Sequence, residues 1–425
     1  MLKDAQDLVV TSVSSIALVH LNDFIHQALS YGKEAEDAIN KALAADPTCA
    51  ITHAYAAAYF LAQESAVARP QAICHLQTAQ RHALQATQRE QWYIQAIAAW
   101  ATGAIDQAIH WHEAIAQAYP QDLISVQQGQ YHYFYRGEAT NLKRLAETVL
   151  PAHSDNHYLY GMLAFGLEQC GDLKQAEAMG RRAVAINRHD AWAQHAVAHV
   201  LETQGRVAEG IAWMERHTDT WAGCNSMLLT HNWWHLALYY LKQGDWQTTL
   251  ALYDTCVWGY ARKETPKDQV GAIALLLRLE LQGIDVGDRW QSLSLYLQSR
   301  LHEHALPFQD LHALYAMARA GKAAWVVEML HSMQAHAQTV DRSQRRAWLE
   351  VAVPTAQGLI AHAQGDWLAA IARLKPVMHR LQEIGGSHTQ RALFQQLYRN
   401  AQRHADCSAN STHPSITAKR LLTTV

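Results

Sequence analysis

At 425 residues the chain is too long for one ordinary compact domain and fits either two or three domains or one extended repeat array. Its 49% apolar and 17% charged residues can bury a continuous core, which excludes a disordered chain. A net charge of −3, with no run of five Lys or Arg, lacks the footprint needed to neutralise phosphates, so nucleic acid is not an expected partner.

The N-terminus, Met1-Leu2-Lys3-Asp4-Ala5-Gln6-Asp7, places acids where a signal peptide needs a basic and then an apolar segment, and no stretch of 18 apolar residues follows. A cytoplasmic protein without a membrane segment is expected. The six cysteines, Cys49, Cys74, Cys170, Cys224, Cys256 and Cys407, form no Cys-x-x-Cys pair, and small core residues are expected there rather than disulfides or a thiolate zinc site.

An early helical unit surrounds Ala45-Asp46-Pro47, a signature of the junction between repeats. The repeat itself is legible in glycines that interrupt helical stretches: Gly103, Gly137, Gly171 and Gly205 follow one another at intervals of 34 residues. That is the tetratricopeptide period. Each glycine suits a turn between two amphipathic helices because it accepts positive φ without steric cost. Small residues where paired helices must approach recur five places after the turn, at Ala108, Ala176 and Gly210, and eleven or twelve after it, at Ala114, Ala183 and Cys256. The next turn, Gly244, follows Gly205 by 39 residues, so Trp221 to Asn225 reads as an inserted loop. Later turns are expected at Gly321 and Gly365. The prediction is an all-α, right-handed α-solenoid of eight to ten tetratricopeptide-type helix pairs over residues 1–405. Its best-formed repeats span about 90–257, and a polar tail covers 406–425.

Such a stack turns its first helices to a concave groove. Residues thirteen, ten, six, three and two before a turn glycine face it. In the Gly137 repeat this rule presents Gln127, Tyr131, Phe134 and Tyr135, either as an aromatic wall for a ligand or as a tyrosine cluster closed by neighbouring repeats. In the Gly205 repeat it presents His195, His199 and Glu202, which share one helical stripe. In the next repeat His231 and His235 are again one turn apart and level with the first pair. Facing imidazoles on neighbouring first helices could converge on one divalent ion, and a nitrogen ligand set suits zinc or iron. Two alternatives stay open: direct binding of a polar or anionic ligand, and packing of His231 and His235 in an aromatic layer with Trp233 and Trp234. His195 to His199 carries no internal general base, so Glu202 or Asp254 is the candidate base if a metal activates water.

Asp310 and His312 are further candidates for ligand contact, as are Tyr131, Trp234 and Arg391. Ser387 and Gln390 stand in capping-box spacing after Gly385-Gly386, at a helix start that Arg391 could help to hold an anion. The pairs His110/His112 and His302/His304 read as surface histidines.

The segments Asp190 to Glu202, His231 to Tyr239, Tyr253-Asp254, Phe308 to His312, Gly385-Gly386-Ser387 and Gln390-Arg391 together resemble the tetratricopeptide repeat protein 38 family. They run in that family's order over nearly the whole chain. The resemblance implies an α-solenoid and a shared histidine site, without a named reaction. Relatives tend to show His-Asp-Ala-Tyr-Phe-Tyr before the second turn glycine, where this chain has Gln130-Tyr131-His132-Tyr133-Phe134-Tyr135.

The expected function is therefore a repeat protein with a His-rich concave pocket for a divalent metal or a small polar or anionic ligand, with room for a metal-assisted reaction. The alternative is a non-catalytic scaffold gripping a peptide in the groove.

Overall fold

The computed structural model describes residues 2–411. Among them the chain is 77% helical, with 22 helices and almost no strand. A short antiparallel hairpin pairs Leu2–Lys3 with Val9–Val10. The helices are Ser15–Leu29 (α1), Ala35–Ala45 (α2), Ala50–Leu61 (α3), Arg69–His82 (α4), Gln88–Thr102 (α5), Ile105–Ala118 (α6), Leu123–Tyr135 (α7) and Ala139–Val149 (α8). Then follow His157–Gln169 (α9), Leu173–Ile186 (α10), Ala191–Thr203 (α11), Val207–Glu215 (α12), Ser226–Gln243 (α13), Trp246–Leu252 (α14), Pro266–Leu281 (α15) and Arg289–Ser294 (α16). The last are Pro307–Arg319 (α17), Ala323–Thr339 (α18), Arg342–Arg346 (α19), Val353–Ala363 (α20), Trp367–Leu374 (α21) and His388–Ser411 (α22).

Consecutive helices from α1 to α18 pack as antiparallel pairs, and α20 with α21 adds a tenth. The 34-residue glycines are the turns: Gly103, Gly137, Gly171 and Gly205 take φ between +69° and +81°. Gly244, Gly321 and Gly365 likewise take positive φ, at +92°, +71° and +78°, and Gly283 is a further turn. The small residues work as the pattern requires at Ala108, Ala176 and Ala183, all fully buried. At Gly210 a Cβ would strike the Tyr239 ring. Ala114 is only half-buried, and Ile115 fills that layer instead. Cys49, Cys224 and Cys256 are buried, whereas Cys74, Cys170 and Cys407 are exposed, so core packing accounts for only three of the six free cysteines.

The superhelix is tighter than an open groove. The α1–α2 turn crosses the bore to meet the segment before α13, where Asn225 N donates to Tyr31 O at 2.6 Å and Lys33 N to Gly223 O at 3.0 Å. The expected inserted loop is therefore a short 3-10 turn, Thr218–Gly223, leading into that contact. After α3, the buried Glu64 gathers three later repeats. It accepts from Tyr131 Oη at 2.7 Å, pairs with Lys267 Nζ at 3.1 Å and accepts from Gln309 Nε2. Lys267 also donates to Ala62 O at 2.8 Å, and Ala66 N donates to Glu303 at 2.8 Å. Replacing Glu64 by Ala strands a phenol, an amide and an ammonium at once. The expected loss is about 2–4 kcal/mol in urea unfolding, with Glu64→Gln losing less, and a change below about 0.5 kcal/mol would show that this contact does not hold the ring closed.

At the other end the chain returns. After α21 the Gly385–Gly386 loop passes Tyr135 and Phe308 so closely that a Cβ on either glycine would clash, and His388 Nε2 donates to Gln169 O at 2.9 Å. The helix this begins, α22, packs on α15, α20 and α21. It runs through Ser411, so the boundary expected at 405 falls inside a helix; the remainder of the proposed tail lies outside the described residues.

Candidate metal centre

Two first helices carry the histidines, and local sequence sets both. Asp190 caps α11 by accepting from Ala193 N at 2.8 Å, and Asn225 caps α13 by accepting from Leu228 N at 3.0 Å. Tyr239 Oη donates to Ala198 O at 2.5 Å across the gap that Gly210 leaves, which fixes the height of α13 against α11.

At that height the four imidazoles meet. Ring centroids of His195 and His199 are 4.5 Å apart, His231 and His235 4.8 Å, His195 and His235 5.0 Å, and His199 and His235 4.5 Å. One nitrogen from each of the four falls within 4.8 Å of all the others. His195, His199 and His235 are buried and His231 half-buried. His195 Nε2 and His199 Nε2 are 2.9 Å apart, whereas Nδ1 of each and both nitrogens of His235 have no hydrogen-bond partner. Burial, then the neighbouring imidazoles, drives His195, His199 and His231 well below the ordinary histidine range; burial brings His235 down to about 3. The cluster is thus neutral imidazole, the form that binds a cation.

Two carboxyl groups stand behind it. Glu202 Oε2 is 3.4 Å from His235 Nδ1, and Glu168 Oε2 is 4.0 Å from His199 Nδ1. Burial raises Glu202 and lifts Glu168 to about 7. Such carboxylates orient ligating imidazoles and supply negative charge against a dication. Glu168 did not emerge from the sequence reading, although it stands three before Gly171, just as Glu202 stands three before Gly205. The neutral imidazoles and the two carboxyls suit a divalent ion; a nitrogen spacing of up to 4.8 Å must draw in, since two ligands about 2 Å from one ion stand no more than about 4 Å apart.

The cluster forms one wall of a half-open cavity of about 350 Å³, to which the early helices and the returning C-terminal loop both contribute; His195, His199 and His231 line it. Gln127, Tyr131, Phe134 and Tyr135 all line it too, with Trp100 and Phe165. Ser387 and Gln390 reach it from the start of α22, where Ser387 N donates to Gln390 Oε1 at 2.9 Å and Gln390 N to Ser387 Oγ at 3.3 Å, completing the capping box.

Other sequence candidates fall elsewhere. Asp254 is on the surface, paired with Arg289 at 2.6 and 2.9 Å, because a π turn at Tyr253–Val257 aims it outward. Trp234 is buried behind the cluster, stacked on His231 at 12° and beneath the Arg278 guanidinium at 5.2 Å, so it orients an imidazole rather than facing the cavity. His312 is buried against Phe308 and Phe394 and donates from Nδ1 to Phe308 O at 2.7 Å. Arg391 donates to Gly386 O and stiffens the loop. Asp310 turns from the cavity to His304, 2.6 Å away. That histidine is buried, as is His112, which contacts Ser125 Oγ at 2.9 Å; neither is the surface residue its spacing suggested. The bonds to Asp310 and Ser125 take up ring nitrogens that would otherwise need water.

No family model matches the chain. Solved structures similar to it include a human IFIT1 dimer with m7Gppp-AAAA, at 11% identity over 92% of this chain and 94% of that one with a TM-score of 0.45. Another is the APC/C hetero-tetramer Cut9-Hcn1, at 11% identity over 90% and 74% with a TM-score of 0.40. The expectation that nucleic acid is not a partner gains no support from such neighbours. No described helix is long and apolar enough to cross a membrane. The chain is an all-α solenoid of tetratricopeptide type.

Proposed function

We propose that the solenoid holds a divalent metal, zinc or iron, on His195, His199, His231 and His235 and presents it to a small polar or anionic molecule bound in the cavity. The observation that carries this reading is the convergence of four imidazole nitrogens within 4.8 Å, most of them buried and several without a partner. A bound dication would supply Lewis acidity or activate water. Glu202 is the nearest carboxylate to the cluster and replaces Asp254 as the candidate base. Tyr131 and the aromatic wall around it would hold the organic part of the ligand. The contacts that cross the bore at Tyr31 and Glu64 favour a small molecule over a peptide threaded along a groove. We also propose, from the ordered motifs between Asp190 and Arg391, membership of the tetratricopeptide repeat protein 38 family, one solenoid domain and a cytoplasmic setting.

Elemental mass spectrometry on protein purified without a histidine tag tests the reading. Near-stoichiometric zinc or iron is expected in the wild type and at least a tenfold loss in His195→Ala/His231→Ala. Metal below a tenth of an equivalent in wild type, even after dialysis against zinc or iron(II), would rule it out.

A further inference from the structure

A second cluster lies apart from the cavity, and none of its residues lines it. His304 Nδ1 is 2.6 Å from Asp310 Oδ2, and His304 Nε2 is 2.7 Å from Ser332 Oγ. Serine, imidazole and carboxylate therefore form one continuous hydrogen-bonded line, with the two ring nitrogens divided between nucleophile and acid. Burial follows the same order. The side chains of His304 and Asp310 are only 4% and 6% exposed, whereas Ser332 is half-buried and reachable. His304 takes φ +47°, in the left-handed region that is uncommon for a non-glycine residue. His336 and Trp348 pack against its ring at 5.2 and 6.1 Å.

A further imidazole completes the arrangement. His302, on the solvent side, is 2.9 Å from Ser332 Oγ through Nδ1 and 2.9 Å from Glu328 Oε1 through Nε2. Ser332 Oγ has one proton to give. With His304 Nδ1–H donating to Asp310, the hydroxyl donates to His304 Nε2; His302 donates from Nε2 to Glu328, so in its neutral form its Nδ1 is a second acceptor facing the same hydroxyl, on the solvent side.

We infer that Ser332, His304 and Asp310 form a nucleophilic acyl-transfer site, taking small, solvent-accessible carboxylic esters, independent of the histidine cluster. In the forward step Ser332 Oγ bonds to the ester carbonyl carbon as its proton passes to His304 Nε2. The carbon–oxygen bond to the leaving alcohol then breaks, and the alcohol takes that proton. Water attacks the acyl-serine with His304 as base, releasing the carboxylic acid and restoring the hydroxyl. Asp310 does not gain the proton; it holds the ring in the tautomer that leaves Nε2 free.

The test is a fluorophosphonate probe on the full chain, with adducts mapped by peptide mass spectrometry and p-nitrophenyl acetate turnover measured in parallel. The expected result is a single dominant adduct on Ser332, formed equally fast in metal-stripped protein, together with ester hydrolysis that Ser332→Ala abolishes. His304→Gln should slow labelling by about 100-fold or more. Ser332→Ala leaves the buried His304 Nε2 without its partner, so a modest drop in melting temperature is expected, and labelling and turnover are read well below the transition of each variant. No adduct on Ser332 in folded wild type, a labelling rate unchanged by His304→Gln, or turnover retained by Ser332→Ala would each overturn the assignment.

Discussion

Replacing Arg89 by alanine is expected to destabilise the protein by about 3–5 kcal/mol, because it leaves two buried carboxylates without their cation. Arg89 in α5 is 2% exposed and donates to Asp122 Oδ2 at 2.8 Å and to Tyr55 Oη at 3.3 Å. Its other arm reaches Val9 O at 3.3 Å and lies 3.9 Å from Asp4 Oδ2, an oxygen with no hydrogen-bond partner. The side chain thus ties the N-terminal hairpin, α3, α5 and the cap of α7 together, and burial already pushes the Asp4 carboxyl above its ordinary range. Urea unfolding should show the loss, and limited proteolysis should cut first within residues 2–14. The Arg89→Ala/Asp122→Asn double variant should recover part of it by removing one stranded charge, since neighbouring sites couple. A single variant within about 1 kcal/mol of wild type would mean that the pair contributes little beyond its desolvation cost.

Acidification of metal-free protein should be the second large effect. Burial lowers His112 to about 3 and His312, His336 and His362 to about 4. Their unfolded values lie near 6.5, so below that pH the unfolded chain binds protons that the folded chain refuses. Their stabilisation is complete above about 6.5 and drains away as pH falls toward 4 and below. Two carboxyls oppose this. Glu168, at about 7, and Asp268, at about 6, are raised by burial, so their contribution is full at low pH and lost as pH rises through those values. These four histidines against these two acids give a net loss of about 2–3 kcal/mol per pH unit between 6.5 and 5, with each group worth about 1.4 kcal/mol per unit, and in metal-free protein the four lowered cluster imidazoles against the raised Glu202 deepen it. Thermal melts in chelator at pH 7, 6 and 5 should therefore fall steeply. A flat or rising trend would mean that these imidazoles acquire protons without unfolding.

The glycine interval of 34 residues and the spacing of His195, His199, His231 and His235 depend on local helical geometry, and one sequence is enough to read them. Within a repeat, each helix face is set by its own periodicity, so counting back from Gly137 found Gln127, Tyr131, Phe134 and Tyr135, and counting back from Gly205 found Glu202. The same count from Gly171 reaches Glu168 and would have found it. The reading lost its grip where repeats degenerate: the turn at Gly283 and the outward aim of Asp254 escaped it, as did the burial of His304, because no regular register connects those residues to their neighbours.

Composition and period determined on their own that this chain is a helical repeat array with two histidine pairs facing one way, since both follow from side-chain spacing along single helices. Only the tertiary structure decided that the array closes into a cavity. Glu64 meets Tyr131, Lys267 and Gln309, and His388 meets Gln169, across separations of up to 245 residues in the chain. Such contacts depend on the accumulated rotation of many repeats, a quantity that no single repeat's sequence carries. The same rotation turned Asp310 away from the cavity toward His304 and brought Ser332 from the following helix into line with both.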